Sequence, residues 1–164
     1  MDSNREYSFR EAVPSDVPLI MEFMRLLAVH SKKEQYMRAT EEKVRKWVFE
    51  DRSVEVIFVL DGKDREAGFA LYFFTCWPIE GKSGIYLENL LVREEYRGQG
   101  YGRALLDYIA RTCAARGMEC MEWDCLAWDE EALGFYAGWG AKQDHTFITL
   151  YVEDVPKLLE SRGG

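Results

Sequence analysis

The sequence predicts an α/β (α+β) fold in a single domain spanning 1–164, with its elements in the order β-α-α-β-β-β-α-β-α-β. Three observations carry this. Short apolar runs of strand length recur along the chain, several of them alternating with polar residues. Between them stand stretches whose apolar residues repeat at helical spacing. Near the middle, residues 88–102 read ENLLVREEYRGQGYG, an apolar strand followed by a glycine-rich loop and a helical pattern.

Residues 7–12 alternate and predict the first strand. Ser15 or Asp16 can cap a helix running to about Val29, with Val17, Ile20, Met21, Met24, Leu27 and Ala28 as its buried stripe. The run from His30 to Gln35, which includes Lys32 and Lys33, is a polar loop. Thr40 caps a short second helix that carries Val44, Trp47 and Val48. Residues 54–60 form a strand and Asp61-Gly62-Lys63 a turn. With the long strand 67–76 they make a hairpin. After a loop at 77–81 comes the central strand, 85–93. The helix behind the glycine loop presents Leu105, Leu106, Ile109 and Cys113 on one face and stops at Gly117. Residues 118–126 alternate as a strand, 129–138 form a short helix, 147–151 a last strand, and 155–159 a terminal helical turn.

Composition narrows the function. At 164 residues, with 48% hydrophobic and 14% aromatic residues, the chain can bury a core. A net charge of −8 argues against a nucleic-acid partner. The acidity suits a cationic partner such as an amine, or simply keeps the protein dissolved. No apolar run approaches the ~20 residues of a membrane span. The opening MDSNREYSF has no apolar signal region, which points to the cytoplasm. The four cysteines include no C-x-x-C pair and there are only two histidines, so no metal site is expected.

Gly98, Gly100 and Gly102 alternate and leave backbone N–H groups unshielded. At a helix start, those groups and the helix dipole make an anion site. A dinucleotide fingerprint would need a third glycine where Arg103 stands, and a nucleoside-triphosphate loop would need a lysine that is missing. Arg93, Arg97 and Arg103 could supply a local basic patch.

What fits is R-x-x-G-x-G from Arg97 to Gly102 after a strand. With the words YLENLLV and YRGQGYG, it resembles the GNAT superfamily of N-acetyltransferases, most closely the spermidine/spermine (diamine) branch. The element order also resembles the GNAT fold, a mixed, mostly antiparallel sheet flanked by helices. The resemblance implies acetyl-CoA as cosubstrate, with direct attack by a primary amine of a small cationic, polyamine-like or diamine-like substrate in a ternary complex. It implies cofactor contacts from Leu90, Leu91 and Val92, which would pair with the pantetheine amides, and from Arg97, Gly98, Gln99, Gly100, Tyr101, Gly102 and Arg103 around the pyrophosphate. Asp129 and Ala132 match a second contact, with Asp129 where an asparagine is common. Trp128 matches the polyamine branch. Related enzymes are often homodimers joined through their C-terminal strands, and residues 147–151 are apolar enough to serve.

The chemistry asks for a base, an oxyanion donor and an acid. An alkyl ammonium at neutral pH is only about one part in a few thousand neutral, a cost of roughly 4–5 kcal/mol. Glu88, set in an apolar strand, is the base candidate; the same position also suits an outward-facing edge residue. In the resembled branch the matching glutamate binds the acceptor and helps deprotonate it, and Asn89 replaces an aspartate there. Tyr136, in the phrase ALGFY followed by Gly140-Ala141, matches the tyrosine that protonates the departing thiolate; the plain alternative is a packing aromatic. Glu122, Trp123 and Asp124 suit an ammonium, or are ordinary strand alternation. Lys32 and Lys33 would repel a dication and suit an acceptor bearing a carboxylate, such as lysine or thialysine. A module that binds acyl-CoA without turnover is the non-enzymatic alternative.

Overall fold

The computed structural model describes residues 7–162. The chain divides into two compact units, Met1–Trp128 and Asp129–Gly164.

In the first unit five strands form one sheet in the order β1-β2-β3-β4-β5. They are β1 (Ser8–Glu11), β2 (Glu55–Leu60), β3 (Glu66–Trp77), β4 (Lys82–Val92) and β5 (Cys120–Glu122). β1 to β4 pair antiparallel, and β5 joins β4 in parallel. The predicted mixed sheet is therefore present. The β3–β4 hairpin is longer than expected, because pairing runs on to Trp77 opposite Lys82.

Helices α1 (Val17–His30) and α2 (Glu41–Arg45) cover one face. Val17, Ile20, Phe23, Val44 and Val48 pack there against Phe58, Phe69, Leu71 and Leu91. Phe23, outside the stripe read from spacing, stacks on Phe69 at 4.9 Å. It is fully buried, an aromatic anchor of the layer. Thr40 caps α2 as expected by accepting from the Lys43 N–H. A π-helical turn, Lys46–Glu50, then carries Val48 inward. The opposite face is covered by α3 (Tyr101–Ala115), which buries Leu105, Leu106, Ile109 and Cys113. Gly117, at φ +70°, turns the chain out of α3.

Two expectations need correction. The strand foreseen over 118–126 is only three residues long. Continuing its parallel register past Tyr86↔Glu122 would set Asp124 opposite Glu88, and like charges in facing positions oppose pairing. The strand foreseen over 147–151 is absent. Phe147, Ile148, Leu150 and Tyr151 are each more than 80% exposed. Apolar alternation makes a strand only where a neighbour supplies hydrogen bonds and a covered face. Among the described residues none does so here. The second unit consists of α4 (Glu130–Trp139), ended by Gly140 at φ +114°, and α5 (Val155–Arg162).

Candidate active site

The centre of the first unit is an irregularity in β4. Leu71 of β3 faces Asn89 and Tyr72 faces Leu87, so Glu88 is an extra residue with no partner in the ladder. A bulge of this kind reverses the side-chain alternation. Before it, Ile85 and Leu87 point to the α3 side with Tyr72. After it, Leu91 packs among α1, α2 and Phe69, and Asn89 shares that face. The Asn89 amide donates to the Glu88 carbonyl at 2.7 Å, which satisfies a carbonyl that the bulge takes out of the ladder. An aspartate could not make that bond. Asn89, foreseen as an acceptor contact, also braces the bulge through this bond.

The second feature is a divergence. β5 meets β4 only at Gly84, Ile85 and Tyr86. Gly84 is required there, because a Cβ would run into the Cys120 carbonyl and the Trp77 ring. Beyond Tyr86 no described strand pairs with that edge of β4, while its other edge stays bonded to β3 as far as Val92. Residues 87–92, including Leu90, Leu91 and Val92, therefore present a free strand edge, the template an extended amide chain can join.

The edge leads into the glycine loop. Gly98 at φ +67° and Gly100 at φ +91° are left-handed, and a Cβ on either would stand in open space. These positions are bare for conformation, not for crowding. Gly100 is the N-cap of α3 and offers no side-chain cap, so the first N–H groups of the helix face the loop. Gly102 lies inside α3. Arg97 Nε donates to the Val92 carbonyl and Gln99 Nε2 to the Glu95 carbonyl at 2.8 Å. Tyr101 is buried and packs edge-on against Tyr96 at 5.4 Å. Arg103 is exposed on the first turn of α3. Arg93 does not belong to a phosphate patch. It bonds Glu22 at 2.6 Å and the Glu66 carbonyl, and its guanidinium lies 4.5 Å over Phe23.

The loop is clamped from behind, which sequence spacing did not show. Asp61 is 6% exposed and accepts from the Lys63 and Arg65 N–H groups, from Arg65 Nε at 2.8 Å and from the Tyr96 hydroxyl at 2.9 Å. The Arg65 guanidinium holds this carboxyl far below its ordinary value. The β2–β3 turn is thereby tied to residue 96, one step before Arg97.

On the other side of the divergence acidic groups gather. The Tyr86 hydroxyl donates to Asp124 at 2.8 Å, and the Tyr86 ring stacks on Phe73 at 5.0 Å. Burial, the Asp124 bond and the charges of Glu88 and Glu122 all push the Tyr86 phenol above its ordinary value. Glu88 is solvent-accessible yet partly desolvated. Burial first, and repulsion by Asp124 second, raise its carboxyl above the usual range. Both causes oppose a negative charge, so Glu88 has more affinity for a proton than a free glutamate. Glu122 is exposed and Trp123 half-buried. The fold brings together Glu88, Glu122 and Asp124, and it adds Tyr86, which sequence reasoning missed. Its signal was the tyrosine of YLENLLV, two residues ahead of Glu88.

In the second unit Asp129 is the N-cap of α4 and accepts from the Ala132 N–H at 3.0 Å. That N–H is consequently engaged by the cap. Tyr136 is half-exposed on α4, with its ring 5.2 Å from that of Phe135.

A strand edge that diverges from its parallel neighbour, followed by a left-handed glycine loop at a helix start, defines an acyl-CoA-binding N-acyltransferase fold. Residues 21–141 match the acetyltransferase (GNAT) family. This protein belongs to that family and is an N-acetyltransferase that uses acetyl-CoA. It is 25% identical to an L-ornithine N5-acetyltransferase of Arabidopsis thaliana, over 81% of this chain and 78% of that one. It is 29% identical to a thialysine N-epsilon-acetyltransferase of Bos taurus, over 81% and 82% of the two chains. A spermidine/spermine N(1)-acetyltransferase-like protein of Homo sapiens is 25% identical over 82% of this chain and 20% of its own. Among solved structures, an integron cassette protein of V. cholerae superposes with a TM-score of 0.77 at 19% identity, covering 97% of this chain and 99% of that one. That likeness concerns the fold.

Proposed function

We propose that this protein acetylates a primary amine of a small acceptor with a diamine-like skeleton, by direct attack in a ternary complex. The observation that carries the reading is Glu88. It is a carboxyl of raised proton affinity, set in a bulge where β4 parts from β5, with Asp124 beside it. Acetyl-CoA supplies the activated acyl group. The free edge at Leu90, Leu91 and Val92 would hold its extended amide arm. The N–H groups of residues 98–103, with the Arg97 and Arg103 side chains, would hold its pyrophosphate. The first turn of α4, set by the Asp129 cap at Ala132, is a second contact.

Glu122 and Asp124 draw the cationic acceptor in, and Trp123 offers an aromatic wall. Glu88 takes the proton that the attacking nitrogen gives up, directly or through one water. As the new C–N bond forms and the C–S bond breaks, a backbone N–H of the β4 edge steadies the carbonyl oxygen. The Tyr136 hydroxyl returns a proton to the departing sulfur. We also propose that the protein is a cytoplasmic homodimer joined through residues 147–151, whose exposed apolar side chains would be covered by a second copy.

Acceptors of two kinds share the diamine skeleton: polyamines, and diamino acids such as ornithine, lysine or thialysine. The deciding experiment is thiol release from acetyl-CoA with members of both sets, alongside peptide amines and aminoglycosides. Turnover with diamines or diamino acids is expected. Turnover confined to peptides or aminoglycosides would overturn the acceptor assignment.

A further inference from the structure

A cation is held in place on the acceptor side of the sheet. Lys32 follows α1 at φ +57°, a left-handed conformation that glycine or asparagine adopts more readily than a lysine. Its backbone has little freedom. The Lys32 N–H donates to the Val29 carbonyl at 3.0 Å, the Lys33 N–H to the Ala28 carbonyl at 2.8 Å, and the Ser31 hydroxyl to the Leu27 carbonyl. The sequence therefore keeps a long charged side chain where the backbone alone would favour none. The Lys32 ammonium lies 4.8 Å from the centre of the Trp128 ring, and that ring is 52% exposed. A ring face orients an ammonium without consuming all three of its N–H donors.

The placement of the pair comes from the register. Tyr86 faces Phe73 in the β3–β4 ladder, on the same side of the sheet as Phe69, Leu71 and the α1 layer, and Glu122 is level with Tyr86 on β5. α1 is docked at the end of β4 by the Arg93–Glu22 ion pair. Trp128 follows Asp124 by four residues. The Lys32–Trp128 contact thus fastens the loop after α1 to the chain just beyond the acidic group.

We infer that Lys32, steadied by Trp128, is the group that recognises an acceptor carboxylate, which makes the preferred acceptor a diamino acid and not a polyamine. This rests on the acceptor reading above. Glu88, Glu122 and Asp124 complement the amines, and the fixed Lys32 ammonium complements the carboxylate. A polyamine has no anion to offer Lys32 and meets only its repulsion.

The test uses matched acceptors that differ by the carboxylate alone: ornithine against putrescine, and lysine against cadaverine. Thiol release gives kcat/KM for each, and calorimetry with CoA present gives acceptor affinity independently of turnover. The wild type is expected to prefer the amino acid of each pair. Lys32→Ala should cut the amino-acid-to-diamine ratio about tenfold or more, the scale of a lost charge-assisted hydrogen bond. Lys32→Glu should invert the preference, Lys32→Arg should keep most of it, and Trp128→Leu should weaken it. A ratio that Lys32→Ala leaves unchanged, in rate and in affinity, overturns the role of Lys32 while leaving the diamine-skeleton reading intact. Absence of turnover with all four acceptors in the wild type would overturn both.

Discussion

The two sides of the β4 divergence are built from different materials. The acyl-donor side, from Leu90 to Arg103, is made mostly of backbone: a free strand edge, two left-handed glycines and the first turn of a helix. Two of its side chains, Gln99 and Tyr101, are turned to bracing and packing. The proposed acceptor side is made of side chains from several strands and loops, namely Glu88, Tyr86, Glu122, Asp124 and Lys32. A backbone site accommodates one invariant chemical feature of a donor and is indifferent to most side-chain changes. A side-chain site can be re-specified one residue at a time. This division suits an enzyme whose donor is constant and whose acceptor varies among relatives.

Substitutions can break that division. Glu88→Gln is expected to have the largest effect, a fall of roughly 10²-fold or more in kcat/KM with acetyl-CoA affinity unchanged. The pH–rate profile checks the same residue. With its carboxyl raised by burial and by Asp124, the wild type should lose activity, as pH falls, at a higher pH than an ordinary glutamate would impose; the glutamine variant should lack that limb. Next comes Tyr136→Phe, for which turnover should drop about tenfold to 10²-fold while calorimetry shows unaltered acetyl-CoA binding. Equal turnover would return Tyr136 to a structural role.

Gly100→Ala tests the backbone side. The added methyl meets nothing, yet φ +91° opposes it by about 1 kcal/mol or more. The expected readout is a several-fold rise in the KM for acetyl-CoA, with acceptor KM preserved. The smallest effect is expected from Tyr96→Phe, which unties the loop from Asp61. A few-fold rise in acetyl-CoA KM with little change in Tm would mark Tyr96 as a positioning residue. Because Arg65 lowers the folded-state Asp61 value, the stability from this clamp is full above the ordinary aspartate range and is lost progressively as pH falls from there through the depressed value. Glu88 is protonated earlier. On acidification, activity should therefore vanish before a thermal-shift measurement shows the fold loosening.

The donor side was legible in the sequence because local rules govern it. Alternating glycines before a helical stripe specify conformation by themselves, and Gly98 and Gly100 adopt the angles that glycine alone takes easily. The acceptor side was legible only as residue types. Nothing in the spacing of YLENLLV reveals a bulge, since strict alternation and an interrupted one look alike over seven residues. The bond by which Asn89 braces the bulge was therefore not foreseen. Arg93 looked like a phosphate ligand because it is close in sequence to the loop, but tertiary contact with Glu22 and Phe23 claims it. The clamp at Asp61 joins residues 35 apart, beyond any local pattern. Residues 147–151 carry a strand's composition without a strand's partner among the described residues.

The bulge at Glu88 also gives this strand an unusual relation to its own length. In most strands a one-residue deletion shortens the ladder and flips every side chain beyond the cut. Here, removing Glu88 would leave Leu87 and Asn89 as neighbours facing Tyr72 and Leu71, already opposed in successive rungs. The hairpin could then close as an unbroken ladder with Leu91 still in the core. A deletion at this position should fold, lose its base, and bind acetyl-CoA along a straighter edge. The proposed base is an insertion that the ladder carries, so the scaffold and the chemistry can be tested apart by taking out one amino acid.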